Sequence, residues 1–239
     1  MPLAPSEREA ILARAVAAGD DALAVETLRT LGRLQLVEGK AAESLRTLRG
    51  AAERAAPLGE AILGRALGDL AGALSALGQA RLADQTYLIA LAHLRRAGDH
   101  GGGADVALDR VRSLANAAPE LVEAAWADAA RRCATAGRSS DELAARIAAA
   151  RVASDRGDRV RTLEWLHDLA LRLDAAEGPD AIWARGELGA LWLGGRRAAD
   201  ALPLLTRAAR EEASAGRHEA AAQRLHELAL CLAMLGQPT

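Results

Sequence analysis

Glycine recurs along this chain at a nearly constant interval, and that regularity narrows the possible folds more than any other feature. Gly19, Gly39, Gly59, Gly78, Gly98, Gly137, Gly157, Gly178, Gly195, Gly216 and Gly236 step by about 20 residues, and the breaker Ala118-Pro119 fills the one gap. Their neighbours recur as well: Ala-Gly-Asp at 18–20 and 97–99, Ala-Gly-Arg at 136–138 and 215–217, Leu-Gly-Gln at 77–79 and 235–237. Between breakers, apolar residues fall at helical spacing, as in Leu28, Leu31, Leu34 and then Leu45, Leu48, Ala51. A glycine just past the last periodic residue is a helix stop, because without a Cβ it enters the left-handed backbone region freely. The spacing predicts about twelve helices paired as about six antiparallel hairpins of ~40 residues, an all-α α-solenoid covering 1–239 as a single repeat domain. No segment sustains period-two alternation, so no strand is expected. The run His100-Gly101-Gly102-Gly103 is the loosest point and predicts a kink or surface insertion between the second and third hairpins.

Composition supports helices and removes several function classes. Aromatics are 2% of the chain and Phe is absent, which depletes the residues strands prefer and leaves Ala, Leu, Arg and Glu, which lose least on entering a helix. A net charge of −2 exerts no strong pull on nucleic acid or an anionic membrane. The aromatics Tyr87, Trp126, Trp165, Trp183 and Trp192 are too scattered for a base-stacking platform, so no nucleic-acid partner is expected. No stretch approaches the ~18 apolar residues of a membrane span. The N-terminal residues Glu7 and Arg8 stand where a signal peptide would place its apolar segment, and Cys133 and Cys231 lie inside apolar helical patterns, which suits a reducing compartment. A cytoplasmic protein is the expectation, and Lys40 as the sole lysine among many arginines points to a high-GC bacterial coding bias.

The hairpins carry a further pattern. The first reads Leu28-x2-Leu31-Gly32-x2-Gln35, turns at Gly39, and continues Ser44-x3-Leu48-x2-Ala51 toward Pro57. The second reads Leu67-x2-Leu70-Ala71-x2-Leu74, turns at Gly78, and gives Ala83-x3-Tyr87-x2-Ala90. A later one reads Arg185-x2-Leu188-Gly189-x2-Trp192 and then Ala201-x3-Leu205-x2-Ala208, and the chain closes with Leu225-x2-Leu228-Ala229-x2-Leu232. This resembles the tetratricopeptide repeat, W-x2-L-G-x2-Y followed by A-x3-F and a proline, in a long-helix variant similar to those of large bacterial regulators and kinesin light chains. The resemblance implies a right-handed superhelix, with degenerate repeats at about 100–175 and a C-terminal capping helix over 217–236. Gly32, Ala71, Gly189 and Ala229 are small where two helices approach closely.

Catalytic chemistry finds little support. Gly32-x6-Gly39-Lys40-Ala41 has two residues too many for a phosphate loop and ends in Ala where a hydroxyl would hold Mg²⁺. His218 and His226 do not share a helical face, and no H-E-x-x-H, C-x-x-C or G-x-S-x-G spacing occurs. The pairs Asp20-Asp21, Asp141-Glu142 and Glu211-Glu212 read as solvated helix-end charges, and Ser139-Ser140-Asp141 as a helix start. Neither a cofactor nor a metal is expected, and the chain is read as a non-enzyme.

What remains is a surface. In tetratricopeptide arrays the first helices of successive hairpins line a concave groove, and the resemblance projects onto it Glu26, Arg29, Arg33 and Leu36, then Arg65, Gly68, Gly72 and Ser75, then Trp183, Gly186, Ala190 and Leu193. The groove would be basic near its N-terminal end and apolar farther along, taking a peptide or protein with an acidic segment. Glycines would let the ligand backbone come close. Asn116 and Lys40 lie off this stripe as the only residues of their types, which argues against a clamp for chaperone tails. The sequence therefore points to a protein–protein interaction module, a scaffold or regulatory sensor, with self-association through Leu228, Leu230, Leu232 and Met234 as an added expectation. The alternative is a detached regulatory repeat domain of a bacterial transcriptional or signalling regulator.

Overall fold

The glycine turns set the architecture. In a computed structural model that describes residues 5–174 and 176–236, Gly19, Gly39, Gly78, Gly98, Gly137, Gly157, Gly216 and Gly236 all take positive φ between 67° and 76°. At the first of the clear hairpin turns Gly39 N–H donates to Leu36 O and Lys40 N–H to Gln35 O, at 3.0 and 2.8 Å. This pair of bonds satisfies carbonyls a helix end would otherwise leave open, and it requires a left-handed residue between them. Gly59 and Gly178 differ: with φ of 111° and 94° and extended ψ they stand at the N-caps of the helices that follow, starting helices and not stopping them.

Twelve α-helices result among the described residues: α1 (Pro5–Ala18), α2 (Asp21–Val37), α3 (Ala41–Ala55), α4 (Glu60–Ala76), α5 (Ala80–Arg96), α6 (His100–Ser113), α7 (Pro119–Thr135), α8 (Ser139–Asp155), α9 (Arg159–Leu173), α10 (Pro179–Gly194), α11 (Ala198–Ser214) and α12 (His218–Met234). No strand occurs among those residues. The helices fall into two compact units, Met1–Ala117 and Ala118–Thr239, divided at the Ala118-Pro119 breaker. In the first unit α2–α3 and α4–α5 form antiparallel hairpins, and α2, α4 and α6 lie side by side. In the second, α7–α8 and α10–α11 pair, α12 packs on α11 and α10, and α8, α10 and α12 form the corresponding row.

Two further expectations are corrected here. His100–Gly103 is neither kink nor insertion but the first turn of α6, because Asp99 caps it by accepting from Gly102 N–H at 3.0 Å. The second concerns Glu211-Glu212. The pair lies in the last turns of α11, where the dipole disfavours negative charge, and Glu212 is buried against Arg217. Ser139-Ser140-Asp141 does start a helix, α8, with Arg138 at the N-cap and no side-chain bond there.

Packing follows the small positions of the repeat. A Cβ on Gly32 would overlap Leu48, and one on Gly189 would overlap Leu205, so each glycine receives a leucine from the second helix of its hairpin. Ser44 reinforces the first contact by donating to Gly32 O at 2.8 Å. The second unit's core runs through Ile147, Leu166, Leu169, Leu188, Trp192, Leu205 and Cys231, and Cys133 is likewise fully buried.

Candidate functional site

Arginine is the polar residue most used inside this fold, and its placement decides what surface remains for a partner. On α2, Arg29 is buried: its Nε donates to Asp69 Oδ2 and its Nη1 to Glu26 Oε2, both at 2.7 Å. Arg33, one turn on, donates from Nε to the other oxygen of Asp69 at 2.7 Å while its side chain stays 57% exposed. Asp69 of α4 thus holds two guanidinium groups of α2. Arg65 reaches Asp99 at 2.6 Å, and this hydrogen bond leads the effects that hold Asp99 below the usual carboxylate range.

The row α2, α4, α6 encloses a groove of about 410 Å³ lined by Arg33 and Leu36 from α2, Gly68, Asp69, Gly72 and Ser75 from α4, Tyr87 from α5, and Asp109 and Arg112 from α6. Its floor lies at Gly72, where a Cβ would meet nothing closer than the Tyr87 hydroxyl at 3.6 Å and Leu36 at 3.9 Å. Tyr87 is buried, and burial raises its pKa, so it stays a neutral phenol able to donate or accept. On the far wall Arg112 Nη1 donates to Asp109 Oδ1 at 2.5 Å. Partial withdrawal from water raises the pKa of Asp109, the charges of Asp105 and Asp69 adding to this and Arg112 opposing it. Each lip therefore carries an ion pair, Arg33 with Asp69 and Arg112 with Asp109, and the two guanidinium groups keep further N–H donors exposed.

Of the projected N-terminal stripe, Arg33, Leu36, Gly68, Gly72 and Ser75 line this groove. Arg29 does not, being sealed beneath Asp69; Glu26 is exposed beside it, and Arg65 turns to Asp99. Gly68 is a packing position, since a Cβ there would overlap Val106 of α6. In the second unit Gly186 is filled in the same manner by Arg224 of α12, Leu193 packs on the core, and Trp183 is 39% exposed. Sequence reasoning missed Asp69, Asp109 and Arg112. An Asp109-x2-Arg112 pair was visible at helical spacing, but nothing in one helix announces which neighbour it will face.

Among the described residues no group of three or more His, Cys, Asp and Glu side chains is placed to hold a metal ion. No helix of the described residues is long and apolar enough to cross a membrane.

No protein-family model and no curated protein sequence matches the chain. Solved structures do. BtubC (BKLC) from P. vanneervenii superposes with a TM-score of 0.64 at 19% identity, covering 88% of this chain and 90% of its own. A putative kinesin light chain of nearly identical TPR-like repeats from Podosopora anserina gives 0.60 at 19%, covering 81% and 97%, and a singly substituted form of it gives 0.59 at 19%, covering 81% and 96%. The repeat pattern, the helix rows and these neighbours agree that the chain has the tetratricopeptide-like fold, an all-α solenoid of helical hairpins.

Proposed function

We propose that the chain is a non-catalytic protein–protein interaction module, acting as a scaffold or regulatory sensor across 1–239, and that the groove of α2, α4 and α6 receives an extended peptide or protein segment. The observation that carries this is the open floor at Gly72, which lets a ligand backbone approach within reach of the Tyr87 hydroxyl between two lips of exposed arginine. Repeat arrays present such surfaces without a specialised loop site, and proteins of this fold generally engage other proteins. Acidic side chains on the bound segment would meet the unused donors of Arg33 and Arg112. The lining itself carries two arginines and two aspartates, so shape and backbone access, not an excess of positive charge, supply the recognition.

Affinity capture from the native host's lysate, comparing the wild-type chain with Gly72→Leu, tests this. The leucine fills the floor and removes no charged group. A protein retained by the wild type and lost by Gly72→Leu at matched stability supports the groove; the same proteins captured by both would exclude it. Self-association belongs to the same reading: of the four residues projected for it Leu230 and Met234 are exposed, whereas Leu228 packs on the core and Leu232 is half-buried. Leu225 and Leu235 add exposed apolar surface, and sedimentation of Leu230→Arg against wild type reads it directly.

A further inference from the structure

The turn between α10 and α11 breaks the rule that the turns at Gly39, Gly78, Gly98, Gly137, Gly157 and Gly216 obey. It makes the same bonds as the Gly39 turn, Arg196 N–H to Leu193 O and Arg197 N–H to Trp192 O, both at 2.9 Å. Its left-handed residue, however, is Arg196 at φ 59°, the only non-glycine residue with positive φ among those described, while Gly195 stays at −75°. Gly195 does cap the end of α10, but the left-handed conformation expected of it falls to Arg196. A side chain in that conformation is strained, and strain held at one position asks what the side chain does there.

Arg196 opens onto a cavity of about 600 Å³ in the second unit, lined by Ser154, Gly157, Arg159, Thr162, Leu163, Leu166, Trp192 and residues 194–197. Three arginines and no carboxylate line it. Arg197 is committed, its guanidinium lying 4.8 Å from the Trp192 ring centroid and its Nε 2.7 Å from Asp200. Arg159 and Arg196 are exposed and form no ion pair or hydrogen bond through their side chains among the described residues. Other exposed arginines are also unpaired; what sets these two apart is that they share one cavity, free of carboxylates, over a floor of Leu163, Leu166 and Trp192. Ser154 and Thr162 add hydroxyls at the wall.

We infer that this cavity binds an organic carboxylate with an apolar or aromatic body, the carboxylate held by Arg159 and Arg196 and the body against Leu163, Leu166 and Trp192. The volume falls in the range of small-ligand pockets, and planar guanidinium forks suit a carboxylate. The inference is independent of the α2–α4–α6 groove.

The experiment titrates the full chain with phenylacetate and with phenylacetamide, by calorimetry and by tryptophan fluorescence, for wild type, Arg159→Gln and Arg196→Gly. Phenylacetate is expected to bind at least about tenfold tighter than the amide, and each variant to lose about tenfold or more. Arg196→Gly is the informative one. It relieves the backbone strain, so its melting temperature is expected to rise by about 2 °C while binding falls, and misfolding cannot explain that pair of results. A third ligand, a tetrapeptide ending in leucine with a free or amidated terminus, identifies the source of the carboxylate. Tighter binding of the free-acid peptide than of phenylacetate assigns the site to chain ends, and weaker binding assigns it to free acids. Absence of phenylacetate and free-acid peptide binding up to about 10 mM, equal affinity for the amide, or undiminished binding by Arg196→Gly would overturn the inference.

Discussion

Asp69 and Glu187 hold the same place in their repeats, each one residue after a glycine that admits a side chain from the next helix of the row, and they solve the same packing problem with opposite hands. In the first unit the buried guanidinium comes from the preceding helix, Arg29 of α2, and the glycine is filled by apolar Val106 of α6. In the second the preceding helix supplies apolar Ile147, and the buried guanidinium comes from the following helix, Arg224 of α12, which donates to Glu187 at 2.6 Å. The outer partner is common to both: the same separation of 36 residues joins Arg33 to Asp69 and Arg151 to Glu187. What the repeat requires is one buried cation per carboxylate and one apolar filler, and the side from which each arrives is free to exchange. The exchange has a functional consequence. A guanidinium over Gly186 occupies the row of the second unit, whereas Val106 leaves Gly72 clear one turn farther along α4.

The largest expected effect tests how strongly each carboxylate is needed. Glu187→Ala leaves Arg224 buried with only Glu227 beside it and its Nε already without a partner, and is expected to cost about 4 kcal/mol in urea unfolding. Asp69→Ala is expected to cost about 3 kcal/mol, because Arg29 keeps Glu26 and the exposed Arg33 returns to water. A larger cost at Asp69 than at Glu187 would mean the exposed outer partner, not the buried one, sets the energy. Below these come the hairpin glycines, where the two units should behave alike: Gly32→Ala and Gly189→Ala each push a Cβ into a leucine and should each lose about 2 kcal/mol. A difference of more than about 1 kcal/mol between them would show that the hairpins are not packed equivalently.

These cases also show where sequence reading stops. The hairpins were legible because glycine spacing and apolar periodicity are properties of one segment at a time. Burial of Arg29 was not, since the α2 pattern places it on the face of Arg33 but cannot reveal that Asp69, thirty-six and forty residues onward, will cover one and merely touch the other. The Gly101–Gly103 run looked like a loop by composition, and a single capping carboxylate at Asp99 made it helix. At Gly194-Gly195-Arg196 the helix ends at Gly194 and is capped by Gly195, yet the left-handed position falls to Arg196 and to neither glycine, which no local propensity predicts. The arginine pocket draws on turns of two successive hairpins, so only the fold assembles it.

The capping aspartates extend the comparison to pH. Asp99 caps α6 in the first unit and Asp158 caps α9 in the second, and both have lowered pKa values, Asp99 chiefly through Arg65 and Asp158 chiefly through the Arg161 amide. A carboxylate lowered on folding contributes stability that is complete above its ordinary value of 3.8 and drains away as pH falls through its folded value. Asp99→Asn keeps a capping oxygen but loses the Arg65 pair, so at pH 6 it should be less stable than wild type by about 1 kcal/mol. That gap should close as pH drops below 3.8. Asp158→Asn keeps its amide bond and should show a smaller gap over the same range. Denaturation at stepped pH for the two variants separates a cap that acts through a side chain from one that acts through backbone.

The smallest effect carries the opposite sign and bears most directly on the groove. A glycine inside a helix costs about 0.5–1 kcal/mol relative to alanine unless its missing Cβ makes room for something. At Gly68 it does, for Val106, as Gly32 does for Leu48 and Gly186 for Arg224. At Gly72 the nearest atoms stand at ordinary contact distance, so nothing within the unit accounts for the glycine. Gly72→Ala should therefore stabilise the first unit by about 0.5 kcal/mol while Gly68→Ala, four residues earlier on the same helix, destabilises it. Thermal unfolding of the two variants settles the sign. If both lose stability, the groove floor is part of the packing; if only Gly68→Ala does, the vacancy at Gly72 serves something outside the fold, and a bound segment is what its position beside Tyr87 and Leu36 would admit.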